Sequence, residues 1–228
     1  MLTTQEWEAV LLSVKVASVA VLVNLPLAII LGYFLTQWKS SSKWILETLI
    51  NIPLVLPPVV TGYLLLLFLG SNGPLGNILE NTLGFRIIFT WHGAALAGAI
   101  VSFPLMVRAI RLSFQGVDSK LEEAARSLGR GPIATFGYVS LPLAFRGVLA
   151  GSVLGFARAL GEFGATIMVA GNIPGVTQTI PLAIFSLVQS PSGVNRSTRL
   201  VLVSLILAGV MLAISEALER REERRELS

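Results

Sequence analysis

The amino-acid sequence predicts an all-α membrane protein with about five transmembrane helices, and three observations carry that prediction. Of the 228 residues 54% are hydrophobic and only 13% charged, where soluble domains run near about 25% charged. Five apolar runs each approach or exceed the roughly 20 residues that cross a hydrocarbon core about 30 Å thick. The basic residues gather in alternate connections, as they do in multi-pass proteins. The whole chain, 1–228, reads as a single transmembrane domain with spans at about 10–35, 45–69, 91–112, 143–170 and 200–218 and a polar loop at 117–142.

The same composition narrows the chemistry. With no cysteine there is no disulfide framework, thiolate ligand or cysteine nucleophile. The single histidine, His92, leaves a histidine-based metal site or triad without ligands, and no metal site is expected. A net charge of +4 could point to nucleic acid, but in so apolar a chain it marks cytoplasmic loops, and no nucleic-acid partner is expected. Glu6 and Glu8 occupy the place of the basic region of a signal peptide and no small-residue cleavage site follows, so the start is not expected to be a signal peptide.

Taken in order, span 10–35 lies between the interfacial tryptophans Trp7 and Trp38, with Lys15 able to snorkel and Pro26 expected to kink it. Span 45–69 carries Pro53, Pro57 and Pro58, which remove backbone donors, so it is expected to be bent or broken. Residues 70–90 read as a loop with one short helix. Span 91–112 follows; Arg108 near its end reads as a snorkelling or loop-anchoring residue, and His92 beside Trp91 as interfacial. Span 143–170 is expected to break near Arg158 to Gly164, and residues 178–190, too short to cross, read as an interfacial or re-entrant piece.

Basic residues set the orientation. Lys39, Lys43, Arg111, Lys120, Arg126, Arg130 and the tail arginines Arg220, Arg221, Arg224 and Arg225 fall on one side, and Arg86, Arg196 and Arg199 on the other. This predicts the amino terminus outside and the carboxyl terminus and loop 117–142 in the cytoplasm; five spans give that parity, and a sixth would break it.

Within the loop, Ser119-Lys120-Leu121-Glu122 has capping-box spacing, so a helix of about ten residues is expected to start there. Leu121, Ala124, Ala125 and Leu128 fall on one face, Glu122 and Arg126 pair on the outer face, and Gly129 closes the helix before Gly131-Pro132. A face made mostly of alanine suits docking in a partner's groove; an amphipathic connector resting on the bilayer or on neighbouring spans fits the same periodicity.

Glu123-Ala124-Ala125, three residues, Gly129, nine residues, Val139, one residue and Leu141-Pro142 resembles the EAA loop of ABC-importer permeases. Every fixed position matches save Val139, which stands for isoleucine. The resemblance extends over nearly the whole chain and is closest to permease subunits of bacterial molybdate importers. It is carried by 56–60 (LPPVV), 102–110 (SFPLMVRAI), 156–166 (FARALGEFGAT), 172–175 (NIPG) and 179–181 (TIP). The stretch ALGEFGA also resembles sulfate permeases, and Ser192 departs from the glycine expected there.

The resemblance implies an ABC type I importer permease of the bacterial inner membrane. Its short loop helix is a coupling helix, with Leu121, Glu123, Ala124, Ala125, Leu128, Gly129, Leu141 and Pro142 as the ATPase-coupling residues. It further implies a homodimer of permeases, two cytoplasmic ABC ATPase subunits that use the ATP, and an external binding protein delivering molybdate or tungstate, with sulfate or thiosulfate as the alternative cargo. The permease itself would bind no cofactor and would not be an enzyme. It has no Gly-rich phosphate loop of its own.

Arg158 and Glu162 stand i, i+4 at membrane depth, where charges face a cavity or each other. They read as a structural ion pair holding a broken helix, with a place in the anion path as the second reading; a fixed deep cation would trap a dianion. Gly155, Gly161 and Gly164 read as close-packing positions rather than a hinge. An ion-coupled secondary transporter would show an inverted repeat and several intramembrane carboxylates, of which Glu162 alone stands out.

Overall fold

The computed structural model describes residues 2–190 and 193–226, with backbone alone at 194, 195, 215 and 218–226. Ser192 and the side chains of Arg220, Arg221, Arg224 and Arg225 thus lie outside the described residues.

Helix α1, Thr4–Gln37, begins with a capping box: Thr3 Oγ1 accepts from Glu6 N at 3.3 Å, and Glu6 Oε2 accepts from Thr3 N at 2.7 Å. The helix runs unbroken through Pro26, and its 34 residues give a rod about 51 Å long. Helices α2, Lys43–Val55, and α3, Pro58–Leu69, meet at 107°, which realises the expected bend. Its cause is local: Leu56 and Pro57 each precede a proline, which drives both into extended backbone at ψ 140° and 133°. Pro53 remains inside α2.

After the short α4, Pro74–Leu83, helix α5 runs Trp91–Gln115 with 67% of its apolar window buried, making it the central post. Helix α6, Ser119–Ser127, occupies the polar loop. A helical segment α7, Pro132–Leu143, bends by 69° into α8, Phe145–Leu160. After a break come α9, Gly164–Ala170, then α10, Ile180–Val188, and α11, Val194–Glu226. The expected fourth span, 143–170, is therefore two helices, α8 and α9. Among the described residues three helices are long and apolar enough to cross alone, and five crossings result if each bent pair counts as one.

The core is the bundle of α1, α5 and α8. Small residues bring the helices close: a Cβ on Gly98 would stand 3.3 Å from that of Ala159, and one on Gly155 would collide with the Met106 side chain. Ala28, Leu35, Met106, Ile110, Ala144 and Val148 fill one cluster, and Ala17, Ala20, Ala99, Phe156 and Ala159 another. Buried Asn24 clasps α1 to α5, donating to Ala99 O at 2.8 Å and Ser102 Oγ at 3.3 Å. Lys15 does not snorkel freely; its Nζ lies 3.6 Å over the Trp91 ring.

Helix α9 leans on α3, where a Cβ on Gly62 would stand 2.7 Å from Ala165 O and one on Gly164 would stand 2.9 Å from Pro58 Cβ. Gly161 differs, with nothing nearer than 3.6 Å, because it caps α8 at the break itself. The half-helix α10 is pinned to α1: Ile180 N donates to buried Ser13 Oγ at 2.7 Å. Contacts Lys15–Trp91, Asn24–Ala99 and Gly32–Ile110 show α1 and α5 parallel. Glu6 pairs with Arg199 at 3.1 Å and Gln37 bonds Glu122, so the molecule has an α1-start end and an α6 end.

Candidate functional site

Helix α6 begins where expected, but its cap is Asp118, whose side chain accepts from Lys120 N at 2.9 Å, rather than Ser119. The capping box does not form because Glu122 is drawn elsewhere. Its carboxylate is buried and accepts from Gln37 Nε2 at 2.8 Å and Ser140 Oγ at 2.5 Å, with Arg126 Nη2 3.7 Å away. Glu122 thus faces inward, not outward, although the i, i+4 pair with Arg126 is present. One carboxylate ties together the end of α1, the loop helix and the chain leaving it.

With that polar side turned in, the apolar side of α6 is turned out. Leu121 is 48% and Leu128 86% exposed, Glu123 and Ala124 are exposed, and Ala125 is half-buried. The following turn adds Ile133, 88% exposed, and Tyr138, 71% exposed. The contacts with neighbouring spans are made by Glu122, so the apolar stripe is left as uncovered surface.

The exit from α6 is a Schellman turn: Gly129 N donates to Arg126 O at 2.9 Å and Arg130 N to Ala125 O at 3.1 Å. Gly129 has φ +87°, as its place after the helix predicts. Arg130 then lies 4.5 Å from the centre of the Tyr138 ring. Residues Phe136–Ser140 form a π turn in which Leu141 N bonds Phe136 O. Pro142 follows at once, and a proline without a donor, crowding the carbonyl four residues back, favours the widened turn. Leu141 packs half-buried against the cluster that contains Met106, Ile110 and Phe114, while Pro142 is exposed.

The second candidate element is the break between α8 and α9. Arg158 Nη1 lies 2.7 Å from Glu162 Oε2, and Glu162, 2% exposed, accepts from Ala165 N at 2.7 Å through Oε1. The cation therefore sits in the last turn of α8 and the carboxylate at the first turn of α9, each at the helix end whose dipole favours it.

Bent spans packed around a small-residue core, with a polar loop helix whose apolar face is uncovered, make up a multi-pass helical membrane architecture. Residues 24–224 match the family model of the binding-protein-dependent transport system inner membrane component, and the chain belongs to that family of inner-membrane, multi-pass proteins. It is 51% identical to the molybdenum transport system permease protein ModB of Escherichia coli strain K12 over 96% of each chain. It is 38% identical to the sulfate transport system permease protein CysW of the same strain, over 96% of this chain and 74% of that one. Its fold superposes with TM-score 0.76 and 15% identity on the crystal structure of a bacterial ABC transporter involved in import of the acidic polysaccharide alginate, covering 96% of this chain and 80% of that one. The architecture is that of an ABC type I importer permease.

Sequence reasoning missed Gln37, Ser140 and Asn24. Ser140 lies inside the EAA-type pattern at a position the pattern leaves free, and Gln37 lies 85 residues from its partner. Asn24, a lone amide in an apolar run, was the readable signal of the three.

Proposed function

We propose that two copies of this chain form the transmembrane path of an ATP-driven importer of molybdate or tungstate. The observation that carries the cargo is the likeness to the molybdenum permease along nearly the whole chain, well above that to the sulfate permease. An external binding protein delivers the oxyanion, and two ATPase subunits dock on the exposed face of α6 from the cytoplasm. The amino terminus is outside and the carboxyl terminus inside; the gathering of Lys43, Arg111, Arg126 and Arg130 at the α6 end supports this.

Closure of the ATPase pair draws the two α6 helices together. Glu122 passes that displacement to α1 through Gln37 and to α7 and α8 through Ser140, and the bent spans rotate to open the path outward. Arg158 and Glu162 hold the break in α8–α9 as a structural pair, and specificity lies mainly in the binding protein. ATP is consumed by the partner, and the permease carries no cofactor.

The test is elemental analysis of molybdenum, tungsten and sulfur in deletion cells with and without the chain restored, at low external oxyanion. Restored molybdenum or tungsten with unchanged sulfur is expected. Restored sulfur alone would make this a sulfate permease.

A further inference from the structure

The face of α5 that carries Pro104, Arg108 and Arg111 looks across a cleft at the face of α2 that carries Glu47, Ile50 and Asn51. The cleft has a cavity volume of about 270 Å³ and lies at the α6 end of the molecule. Its chemistry is unusual for a membrane segment. Arg111 Nη1 is paired with Glu47 Oε1 at 2.8 Å, but Arg111 Nε is buried without a partner. Lys43 Nζ is a further 3.8 Å from the same carboxylate oxygen. Arg108, one turn back along α5 and exposed, carries no hydrogen bond or ion pair among the described residues. Two cations, Arg111 and Lys43, therefore share one carboxylate, and a third, the Arg108 guanidinium, has none.

An unpaired arginine about 10 Å back from the end of an apolar helix is costly unless it faces water or an anion. Guanidinium groups offer forked donors that match tetrahedral oxyanions, and two on one helix face can hold such an ion from both sides. Helix α2 is also loosely held. None of its residues is buried, and cavities of about 480 and 370 Å³ flank it on other sides. It meets the core through the Glu47–Arg111 pair and through Leu46 and Ile50.

We propose that the α2–α5 cleft is a transient binding position for a tetrahedral oxyanion dianion, held between Arg108 and Arg111 on the α6 side of the path. The proposal rests on the oxyanion-permease reading and adds a location to it. The arriving anion competes with Glu47 for Arg111, so binding releases the polar hold on α2. Glu47 in turn keeps the site weak, which lets the ion leave; a pair of unopposed arginines would retain it.

Because the chain has no cysteine, a single Ile50→Cys places one thiol on the cleft wall. The complete transporter, permease with ATPase and binding protein, is labelled with a charged thiol reagent in sodium molybdate, sulfate, phosphate or chloride. Molybdate is expected to slow labelling about threefold at a concentration about twice its dissociation constant. Adding Arg108→Ala should abolish protection, and Arg108→Lys should restore part of it. Absence of protection, or protection indifferent to Arg108→Ala, overturns the proposal. Protection by chloride equal to that by molybdate also overturns it, because the cleft would then screen any anion rather than hold a tetrahedral dianion. If cells take up sulfate and not molybdate, the cargo reading fails while Arg108-dependent protection by sulfate still upholds the site.

Discussion

Gly129 shows how a single residue can matter without touching anything. A Cβ added there would meet no atom within 4 Å, so the whole cost of substitution is its φ of +87°. Left-handed backbone costs other residues about 1–2 kcal/mol, more when β-branched, and asparagine tolerates it best. Gly129→Val is expected to unwind the end of α6 and lower ATP-driven uptake at normal expression, while Gly129→Asn retains most of it. Full uptake by the valine variant would show that the turn is dispensable. Glu122 is the opposite case, a residue made important by its contacts. Glu122→Ala leaves Gln37, Ser140 and Arg126 without their acceptor and should lower the oxyanion moved per ATP hydrolysed, with Glu122→Gln intermediate because it keeps one acceptor oxygen. Equal coupling ratios in wild type and alanine variant would remove Glu122 from the relay. Neither the burial of this carboxylate nor its partners could be read from the sequence. Glu122 has the spacing of a surface i, i+4 pair, and what overrides that spacing is a tertiary hydrogen bond to residue 37. The cap shifted for the same reason: Asp118 and Ser119 are both good caps, and the box that favoured Ser119 needed the carboxylate that α1 had taken.

At the scale of elements, the sequence signals that survived were those of backbone chemistry. Prolines before Val59 broke α2 from α3, and Arg158 with Glu162 and flanking glycines marked the break between α8 and α9, because donor loss and paired charge act locally. Pro26 carried the same signal, yet the helix continues through it, and Pro26 itself lies on the exposed side of α1. The α3–α9 contact offers a clean test of close packing. Gly62→Val would drive side-chain atoms into the backbone of Ala165, which cannot rotate away, and should cost at least about 2 kcal/mol. Gly209→Ala, on α11 with open space around it, should be neutral or stabilise by about 0.5–1 kcal/mol. Thermal unfolding in detergent would compare them; equal midpoints would mean that α3 and α9 are not in contact.

For the molecule as a whole, the number of crossings was legible only to within the bent pairs, since hydropathy measures how apolar a run is and not whether it turns. Orientation belongs to this scale too. In a chain without native cysteine, Asn72→Cys and Ser127→Cys bracket the two ends. A membrane-impermeant thiol reagent is expected to label Asn72→Cys in intact cells and Ser127→Cys only after permeabilisation. The reverse pattern would invert the topology and remove the ATPase from α6.

Helix α1 is also a mechanical element. It is anchored at Glu6, clasped at Asn24 and bonded at Gln37, and no joint interrupts it between those points. The two bent pairs beside it are jointed at their middles. The spans thus differ in build: one helix runs from rim to rim, while breaks lie at α2–α3, α7–α8 and α8–α9. A push delivered at the loop helix is expected to appear as rotation at those joints more than as flexing of α1, which is where a gate in this protein would be built.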